Sequence, residues 1–573
     1  MKILKLTKFQ AMLFITIIFN CYIFLVNYFN YNSTEGTDFN KYGPYLDFFT
    51  FGLEAPLQEQ GIGYFWFISY ISKLKINSLK ISPNFESLLH IFGIQIGNFI
   101  FFIIGCVGIY YLLKYLEISP ITSLIIINML AIFPPVLGAR LILKPEIMMF
   151  AYLPWIILLI YKFLDSNNLK YLFLLIPMAL IVSSSKASLA LMLFLAVLTF
   201  LNKQFFQTKV IFLIVPVLFL FFLLIYESNV INNRFVWEHT IPNGYDNVAN
   251  LKFLFSLNSD LFLNPYRNSQ STSMIGILLL DTFGDYWQVY WFHESAWLNN
   301  QHPGNINLIR IRTLLSVLFY FFLFYFLYKE SNQKLKSIGK LSIVGLSVLL
   351  ITIFNIFPFL TKNFNPMKGD PIKTHYLSFF LALSFAYLLI KILTSKSYKI
   401  FGISCLVLYV LTSLQILQST SVDNLSSEPS TLNKLHLLSP CSIGDPLRSV
   451  ISFPDGWCTS EDITKSICKG TYDKSLLPIT KDDYLVFPPD ELYEKRNLVL
   501  NENTVTVGNY YECINYVNGG YIKQSSEKYF FNFERDIPHY FLVMFLSSLF
   551  TILYMTIVEE RRYSNNKPIY KQL

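Results

Sequence analysis

Apolar runs of about 20 residues recur along this sequence, and a run of that length can cross a bilayer as an α-helix. About twelve such segments are predicted, at residues 9–28, 88–113, 120–141, 145–163, 170–185, 187–202, 210–226, 308–328, 341–360, 376–394, 400–417 and 538–557. The composition agrees, because 53% of the 573 residues are hydrophobic and only 14% are charged, whereas a soluble domain carries about 25% charged residues. The sequence therefore predicts an all-α polytopic membrane protein with outer loops.

The distribution of basic residues predicts how these segments are oriented. The segments expected on the cytoplasmic side carry 19 Lys and Arg residues against five acids, and the rest of the chain carries 26 against 32. This is the positive-inside pattern. It predicts a multi-pass protein of the inner (plasma) membrane with both termini in the cytoplasm and the large loops outside it. The formal net charge of +8 then reflects topology, and no nucleic-acid partner is expected.

The predicted chain has three parts. They are a transmembrane module (1–417) with outer loops at about 29–87, 227–307 and 361–375, a small extracytoplasmic domain (418–537), and a last helix with a basic cytoplasmic tail (538–573). The extracytoplasmic domain contains Cys441, Cys458, Cys468 and Cys513. In an oxidising compartment these predict two disulfides with three pairings open. A zinc site is the alternative, although no two of these cysteines have C-x-x-C spacing.

The first outer loop combines carboxylates with an aromatic stretch. Asp38 and Asp47 precede residues 61–71, which are apolar but too short to cross a bilayer. This stretch is predicted to be a helix at the outer interface, with its Tyr and Trp side chains at headgroup depth. A carboxylate at that level can act as a general base on an acceptor hydroxyl, or it can be a solvated loop acid.

Basic side chains are predicted at the outer ends of several spans. Arg140 and Lys144 come just before Pro145 and Glu146, two residues that suit the start of the next helix. The two cations can also bind a phosphate where the membrane meets water. Other candidates of this kind are Lys186, Lys373 and His375. Their alternative roles are snorkelling for the lysine and capping or packing for the histidine.

The second outer loop alternates acids with aromatic residues over 280–294. The candidates for contact with a sugar or an acceptor are Asp281, Asp285, Trp287 and Trp291. Ring faces can stack on the C–H face of a sugar, and carboxylates accept hydrogen bonds from its hydroxyls. An interfacial aromatic belt is the alternative interpretation.

Several common catalytic motifs are missing from the sequence. It contains no Walker lysine motif, no G-x-G-x-x-G ahead of a helix, no H-E-x-x-H and no G-x-S-x-G. Those motifs mark ATP-driven enzymes, Rossmann dehydrogenases, zinc proteases and serine hydrolases, and none of these classes is expected. The sequence itself requires no cofactor.

The order of these features resembles the GT-C superfamily of polyprenyl-phosphate-dependent membrane glycosyltransferases. The resemblance covers residues 1–395 as a layout: one span, an acid-bearing outer loop with an interfacial helix, more spans, and a second large outer loop. It implies an enzyme whose partners are a polyprenyl-phosphate-linked sugar, membrane lipids and a glycan, lipid or protein acceptor. Members of the superfamily differ in their use of a divalent metal.

The same resemblance implies roles for individual residues. An acid of the first outer loop would be catalytic, with Asp47 the best match and Asp38 the second. The residues that would bind the donor phosphate are Arg140, Lys144, Lys186, Lys373 and His375. Asp47 is followed by Phe48, whereas the superfamily usually has two adjacent acids there.

Two alternatives stay open from the sequence alone. Gly36-Thr37-Asp38, followed by Tyr42, resembles the opening motif of polysaccharide polymerases of the EpsG and Wzy type, in which Asp38 and Arg140 would matter more than Asp47. A transporter or flippase of lipid-linked sugars is the non-enzymatic alternative. That class usually shows inverted repeats and charges at mid-membrane, and the sequence shows no repeat.

Overall fold

The computed structural model describes the chain in several separate stretches. They are residues 7–30, 63–79, 86–141, 143–185, 259–263, 273–283, 306–351, 378–394, 399–419 and 539–565, with single positions among 42–50, 189–199 and at 257. Within these stretches every regular element is an α-helix. This agrees with the predicted all-α class.

The helices are numbered here in chain order. They are α1 (Lys8–Asn30), α2 (Gly63–Leu79), α3 (Glu86–Tyr115), α4 (Pro120–Ala131), α5 (Pro134–Leu141), α6 (Ile147–Ser166), α7 (Lys170–Ser183), α8 (Asp260–Leu263), α9 (Met274–Phe283), α10 (Ile306–Lys329), α11 (Gln333–Ile351), α12 (Ser378–Thr394), α13 (Lys399–Ser419) and α14 (His539–Asn565). Helix α3 packs against α2, α4 and α6, and α12 packs against α4, α11 and α13.

Five helices in the described stretches are long and apolar enough to cross a membrane: α1, α3, α6, α10 and α14. The pair α4 and α5 makes a sixth if it counts as one span, and α7, α12 and α13 contain shorter apolar helices. These helices support a multi-spanning membrane protein. The count of twelve stays a prediction, because segment 210–226 and most of 187–202 lie outside the described residues.

The predicted span at 120–141 consists of two helices. Ser119 caps α4 by accepting a hydrogen bond from the Thr122 backbone N–H, and Pro120 occupies the first turn, where its missing N–H has no cost. The helix ends at Ala131, and α5 runs on at an angle of 67° to it. Pro134 and Pro135 begin α5, and proline does not continue a preceding helix.

Glycines let α3 and α6 approach closely. A side-chain carbon added at Gly105 would lie 2.6 Å from the Phe150 carbonyl oxygen, and one at Gly108 would lie 2.7 Å from Nε1 of Trp155. The Trp155 indole N–H donates a hydrogen bond of 3.0 Å to the Ile104 carbonyl. Small residues have the same role at many helix interfaces in membranes.

Replacing Gly105 with alanine is expected to destabilise the protein by about 1–3 kcal/mol, because the new methyl group would overlap backbone of α6 that cannot move aside. Thermal unfolding of the detergent-solubilised protein measures the effect. Ile103→Ala, on the exposed side of the same helix, is the control and should change stability by about 0.5 kcal/mol or less. Equal stability of Gly105→Ala and the parent chain would contradict the close approach.

Ion pairs gather at one end of the helix bundle. The pairs are Lys114–Glu560, Lys162–Glu559, Lys334–Asp165 and Lys391–Glu330. We call these eight residues the ion-pair layer. Tyr115 links two of the pairs, because its hydroxyl donates to Asp165 and its ring lies 4.9 Å from Nζ of Lys162. All four acids and all four lysines belong to segments predicted on the same side of the membrane.

The ion-pair layer also explains where α11 begins. The sequence predicts a span from residue 341, whereas the helix begins at Gln333. Lys334 lies in its first turn, where it pairs with Asp165 at the end of α6. The helix therefore extends into the charged layer before its apolar part begins.

The C-terminal helix α14 packs on the same bundle. It lies against α7, the Tyr152 and Ser548 hydroxyls are 3.2 Å apart, and Phe545 packs on Phe67 of α2 with ring centroids 4.8 Å apart. Helix α2 itself is confirmed as a helix. Tyr64 and Trp66 are buried inside the protein, whereas Tyr70 is exposed. The prediction that the rings of this stretch face lipid headgroups is therefore wrong for Tyr64 and Trp66. Helices α3 and α14 cover them.

Candidate functional site

Part of the first outer loop packs on α2 at the end of the bundle opposite the ion-pair layer. The ring of Tyr45 stacks on Phe65 with centroids 4.8 Å apart, and Tyr42 lies 5.2 Å from the same ring. The Ser69 hydroxyl donates a 3.4 Å hydrogen bond to the Leu46 carbonyl. This part of the loop, which contains Asp47 in sequence, is therefore held on α2 at both Tyr45 and Leu46.

Lys144 also lies close to this part of the first outer loop. Its Nζ lies 5.6 Å from the centre of the Tyr42 ring, and the residue is only 4% exposed. A cation near an aromatic face gains electrostatic stabilisation, and the gain grows when water is excluded. A residue of the first outer loop and a cation about 100 positions later in the sequence thus share one site.

Arg140 lies in the last turn of α5, and its side chain reaches back to the break between α4 and α5. Its guanidinium stacks on Phe102 at 3.8 Å from the ring centre, and Nη1 donates a 3.3 Å hydrogen bond to the carbonyl of Ala131, the last residue of α4. Carbonyls at a helix C-terminus carry partial negative charge. Arg140 therefore satisfies the broken end of α4 and still supplies a positive charge beside α3.

A chain of hydrogen bonds fixes the backbone between the two cations. The Tyr64 hydroxyl donates to Oδ1 of Asn98 at 2.8 Å, and the Asn98 amide donates to the Arg140 carbonyl at 3.2 Å. Burial raises the pKa of Tyr64 well above its usual range, and the charge of Glu146 raises it further. Tyr64 is thus a neutral hydrogen-bonding residue that joins α2, α3 and α5.

We call Tyr42, Tyr64, Arg140, Lys144 and Glu146 the cation site. Arg140 and Lys144 are each 4% exposed and Glu146 is fully buried. The cation site thus combines two basic side chains with one carboxyl group. Charges with little access to water interact strongly with any further charge nearby. The chemistry that such a site favours is stabilisation of an anionic group.

The end of α7 contacts the start of α2, the helix that carries Tyr64 of the cation site. The Gly63 backbone N–H, at the start of α2, donates a 3.0 Å hydrogen bond to the Ser184 carbonyl. Ser184 and Ser185 are both buried. This contact joins the end of α7 to the start of α2.

The structure describes only some of the predicted site residues. Arg140 and Lys144 lie together in the cation site, and Asp281 lies on α9. The residues outside the described stretches are Asp38, Asp47, Lys186, Asp285, Trp287, Trp291, Lys373 and His375, together with the candidate disulfide residues Cys441, Cys458, Cys468 and Cys513. Within the described stretches, no group of three His, Cys, Asp or Glu side chains is arranged to hold a metal ion.

One buried cation, Arg312, was not singled out in the sequence. It lies in α10 at 1% exposure, and its guanidinium donates to the Phe283 carbonyl at 2.6 Å and to the Ser413 hydroxyl at 3.0 Å. The signal in the sequence was an arginine inside an apolar segment, which marks a functional candidate. Its position near the start of a predicted span made it indistinguishable from a flanking residue.

No protein-family model matches this sequence, and no curated protein matches it.

Proposed function

We propose that this protein is a membrane glycosyltransferase of the polyprenyl-phosphate-dependent kind. It would move a sugar from a lipid-linked donor to a glycan, lipid or protein acceptor on the outer face of the membrane. The supporting observation is the cation site, in which Lys144 lies 5.6 Å from the Tyr42 ring of the first outer loop. The loop that carries the candidate base and the cations that would hold the donor phosphate share one end of the bundle.

In the proposed reaction, each group has one role. Asp47 accepts the proton of the acceptor hydroxyl, whose oxygen attacks the anomeric carbon of the donor. The bond from that carbon to the phosphate oxygen breaks, and the phosphate leaves with its electron pair. Arg140 and Lys144 stabilise the charge that builds on the phosphate. A single displacement inverts the configuration at the anomeric carbon.

The ion-pair layer supports the proposed orientation. It gathers Lys114, Lys162, Lys334 and Lys391 at the end of the bundle away from the cation site. By the positive-inside pattern this is the cytoplasmic end. The cation site and the first outer loop then face the outer side, where a lipid-linked sugar can enter laterally from the outer leaflet.

Replacing Lys144 with methionine is expected to reduce transfer about 100-fold, the usual effect of removing one group that stabilises transition-state charge. The test complements a host deleted for the gene and resolves its surface glycans and lipid-linked intermediates by electrophoresis and mass spectrometry. Lys170→Met is the matched control, because Lys170 is exposed and lies at the other end of α7. Lys144→Arg should retain part of the activity.

The outcomes separate the candidate functions. Glycans of the deletion host that each lack one sugar would support the glycosyltransferase. A ladder that collapses to a single repeat unit would favour the polymerase and Asp38. Glycans that do not change on deletion would contradict both enzymes.

A transporter or flippase is the second candidate, and the break between α4 and α5 favours it. The two helices meet at 67°, and irregular backbone at membrane depth is common where a transporter binds its substrate. If the protein is a flippase, the deletion host keeps the lipid-linked sugar intact, but this sugar does not reach the outer leaflet. A lectin-accessibility assay of intact spheroplasts distinguishes this result from loss of transfer.

A further inference from the structure

Three arginines in the described stretches donate hydrogen bonds to the carbonyl ends of helices. Arg140 binds Ala131 at the end of α4, and Arg312 binds Phe283 at the end of α9. Arg310 binds the Phe262 and Leu263 carbonyls at the end of α8, at 2.6 and 2.9 Å. Arg312 and Arg140 are buried, at 1% and 4% exposure, whereas Arg310 is partly exposed.

The residue that Arg312 holds, Phe283, is surrounded by other rings. Its ring meets four others edge-on, at centroid distances of 5.4 to 5.8 Å. They belong to Phe133, Phe319, Phe385 and Tyr409. This packing fixes the ring at one end of the residue, while Arg312 fixes the carbonyl at the other. The C-terminus of α9 is thus held at two points.

One of these rings, that of Phe133, is connected to the cation site through α5. Phe133 lies in the break between α4 and α5, directly before Pro134. Its carbonyl accepts hydrogen bonds from the backbone N–H groups of Val136 and Leu137 at 2.9 and 2.8 Å. Its position therefore sets where α5 begins. Arg140 lies in the last turn of the same short helix, and Lys144 follows it closely in sequence.

Tyr409 ties the two helix ends together from a third side. Its ring packs on Phe283, and its hydroxyl donates a 2.9 Å hydrogen bond to the Met129 carbonyl in the last turn of α4. Ser413, on the next turn of α13, accepts from Arg312 and donates to the Tyr409 carbonyl at 2.8 Å. The ends of α4 and α9 are thus joined through one polar and aromatic cluster.

We propose that Arg312 is a positioning residue of the cation site, acting through Phe283 and Phe133 on the short helix that carries Arg140. The role of Arg312 in sugar transfer rests on the proposed function. The structural coupling between Arg312 and the cation site does not depend on the reaction.

The first test measures the coupling without any enzymatic activity. Lys144→Cys is introduced, and the rate of its reaction with a membrane-impermeant maleimide is measured in detergent, above the background of the same chain with Lys144 intact. Because the hydrogen bonds of the guanidinium no longer hold the end of α9, adding Arg312→Met should raise this rate about tenfold, which corresponds to about 1.4 kcal/mol. Arg310→Met is the matched control and should leave the rate unchanged.

Three further variants distinguish the proposed coupling from simple unfolding of the protein. Arg312→Lys keeps a charged donor and should restore slow labelling, and Ser413→Ala removes only one partner of the guanidinium and should give an intermediate rate. Phe133→Leu should show non-additive coupling with Arg312→Met, because both act on the start of α5. Unchanged labelling in Arg312→Met, or equal acceleration in Arg310→Met, would overturn the proposal.

Transfer assays in the complemented host then test the link to function. If the glycosyltransferase proposal holds, transfer should fall in Arg312→Met, recover in Arg312→Lys and stay at the parent level in Arg310→Met. If labelling responds to Arg312 but the deletion host has normal glycans, the positioning role stands and the proposed function fails.

Discussion

Asp47→Asn is expected to reduce sugar transfer by a factor of about 10²–10⁴, the usual contribution of a general base. The amide keeps the size of the carboxylate but cannot accept the proton of the acceptor hydroxyl. The residues near Asp47 in sequence support its selection, because Tyr45 and Leu46 are buried on α2 next to the tyrosine that faces Lys144. The measurement is transfer by the variant in the deletion host, with the amount of protein in the membrane determined in parallel.

Asp38→Asn is the matched control for this prediction. The same substitution is made in the same loop, nine positions earlier, and it should leave transfer within a few-fold of the parent chain. If Asp38→Asn abolishes the product and Asp47→Asn does not, the polymerase becomes the better interpretation. Full activity of both variants would exclude a first-loop carboxylate as the base.

The sequence was most informative about charge. Counting lysines and acids placed Asp165, Glu330, Glu559 and Glu560 on one side of the membrane together with the lysines of neighbouring segments. The structure pairs each of these acids with a lysine from that group. Such a grouping is visible in the sequence because a charge at a span end must stay near water or find a partner, and both requirements act locally along the chain. The side of the membrane on which these residues lie stays a prediction.

The cation site could be predicted only in part. Arg140 and Lys144 were recognisable because they interrupt apolar sequence at the predicted outer end of a span. Their burial was not, because it depends on α2 and on loop residues such as Tyr42, which are distant in sequence. The predicted interfacial position of Tyr64 failed for the same reason: an aromatic stretch too short to span a bilayer can pack against protein as readily as against headgroups.

Hydropathy predicts neither the break after Ala131 nor the role of Arg312. A window average over residues 120–141 is uniformly apolar, so it gives no sign that the helix turns by 67°. Only the paired prolines at 134 and 135 mark the place. A buried arginine is tolerated in such a segment because carbonyls released at helix ends accept its hydrogen bonds, and that pairing depends on tertiary structure.

Removing one partner of the Lys162–Glu559 pair is expected to destabilise the protein by about 3–5 kcal/mol, because the other charge stays buried without compensation. The side chains of Lys162 and Glu559 are only 8% and 1% exposed. The pair also joins the end of α6 to α14, so its loss should loosen the C-terminal helix. Lys162→Met and Glu559→Gln are compared with the parent chain by thermal unfolding in detergent.

The Lys334–Asp165 pair is the matched control, because it belongs to the same ion-pair layer but its side chains are 39% and 47% exposed. Lys334→Met should therefore cost only about 0–1 kcal/mol. The double variant Lys162→Met with Glu559→Gln should regain much of the stability that either single change removes, since no charge is then left buried. Equal losses from the buried and the exposed pair, or additive losses in the double variant, would show that the Lys162–Glu559 contact does not hold α14 in place.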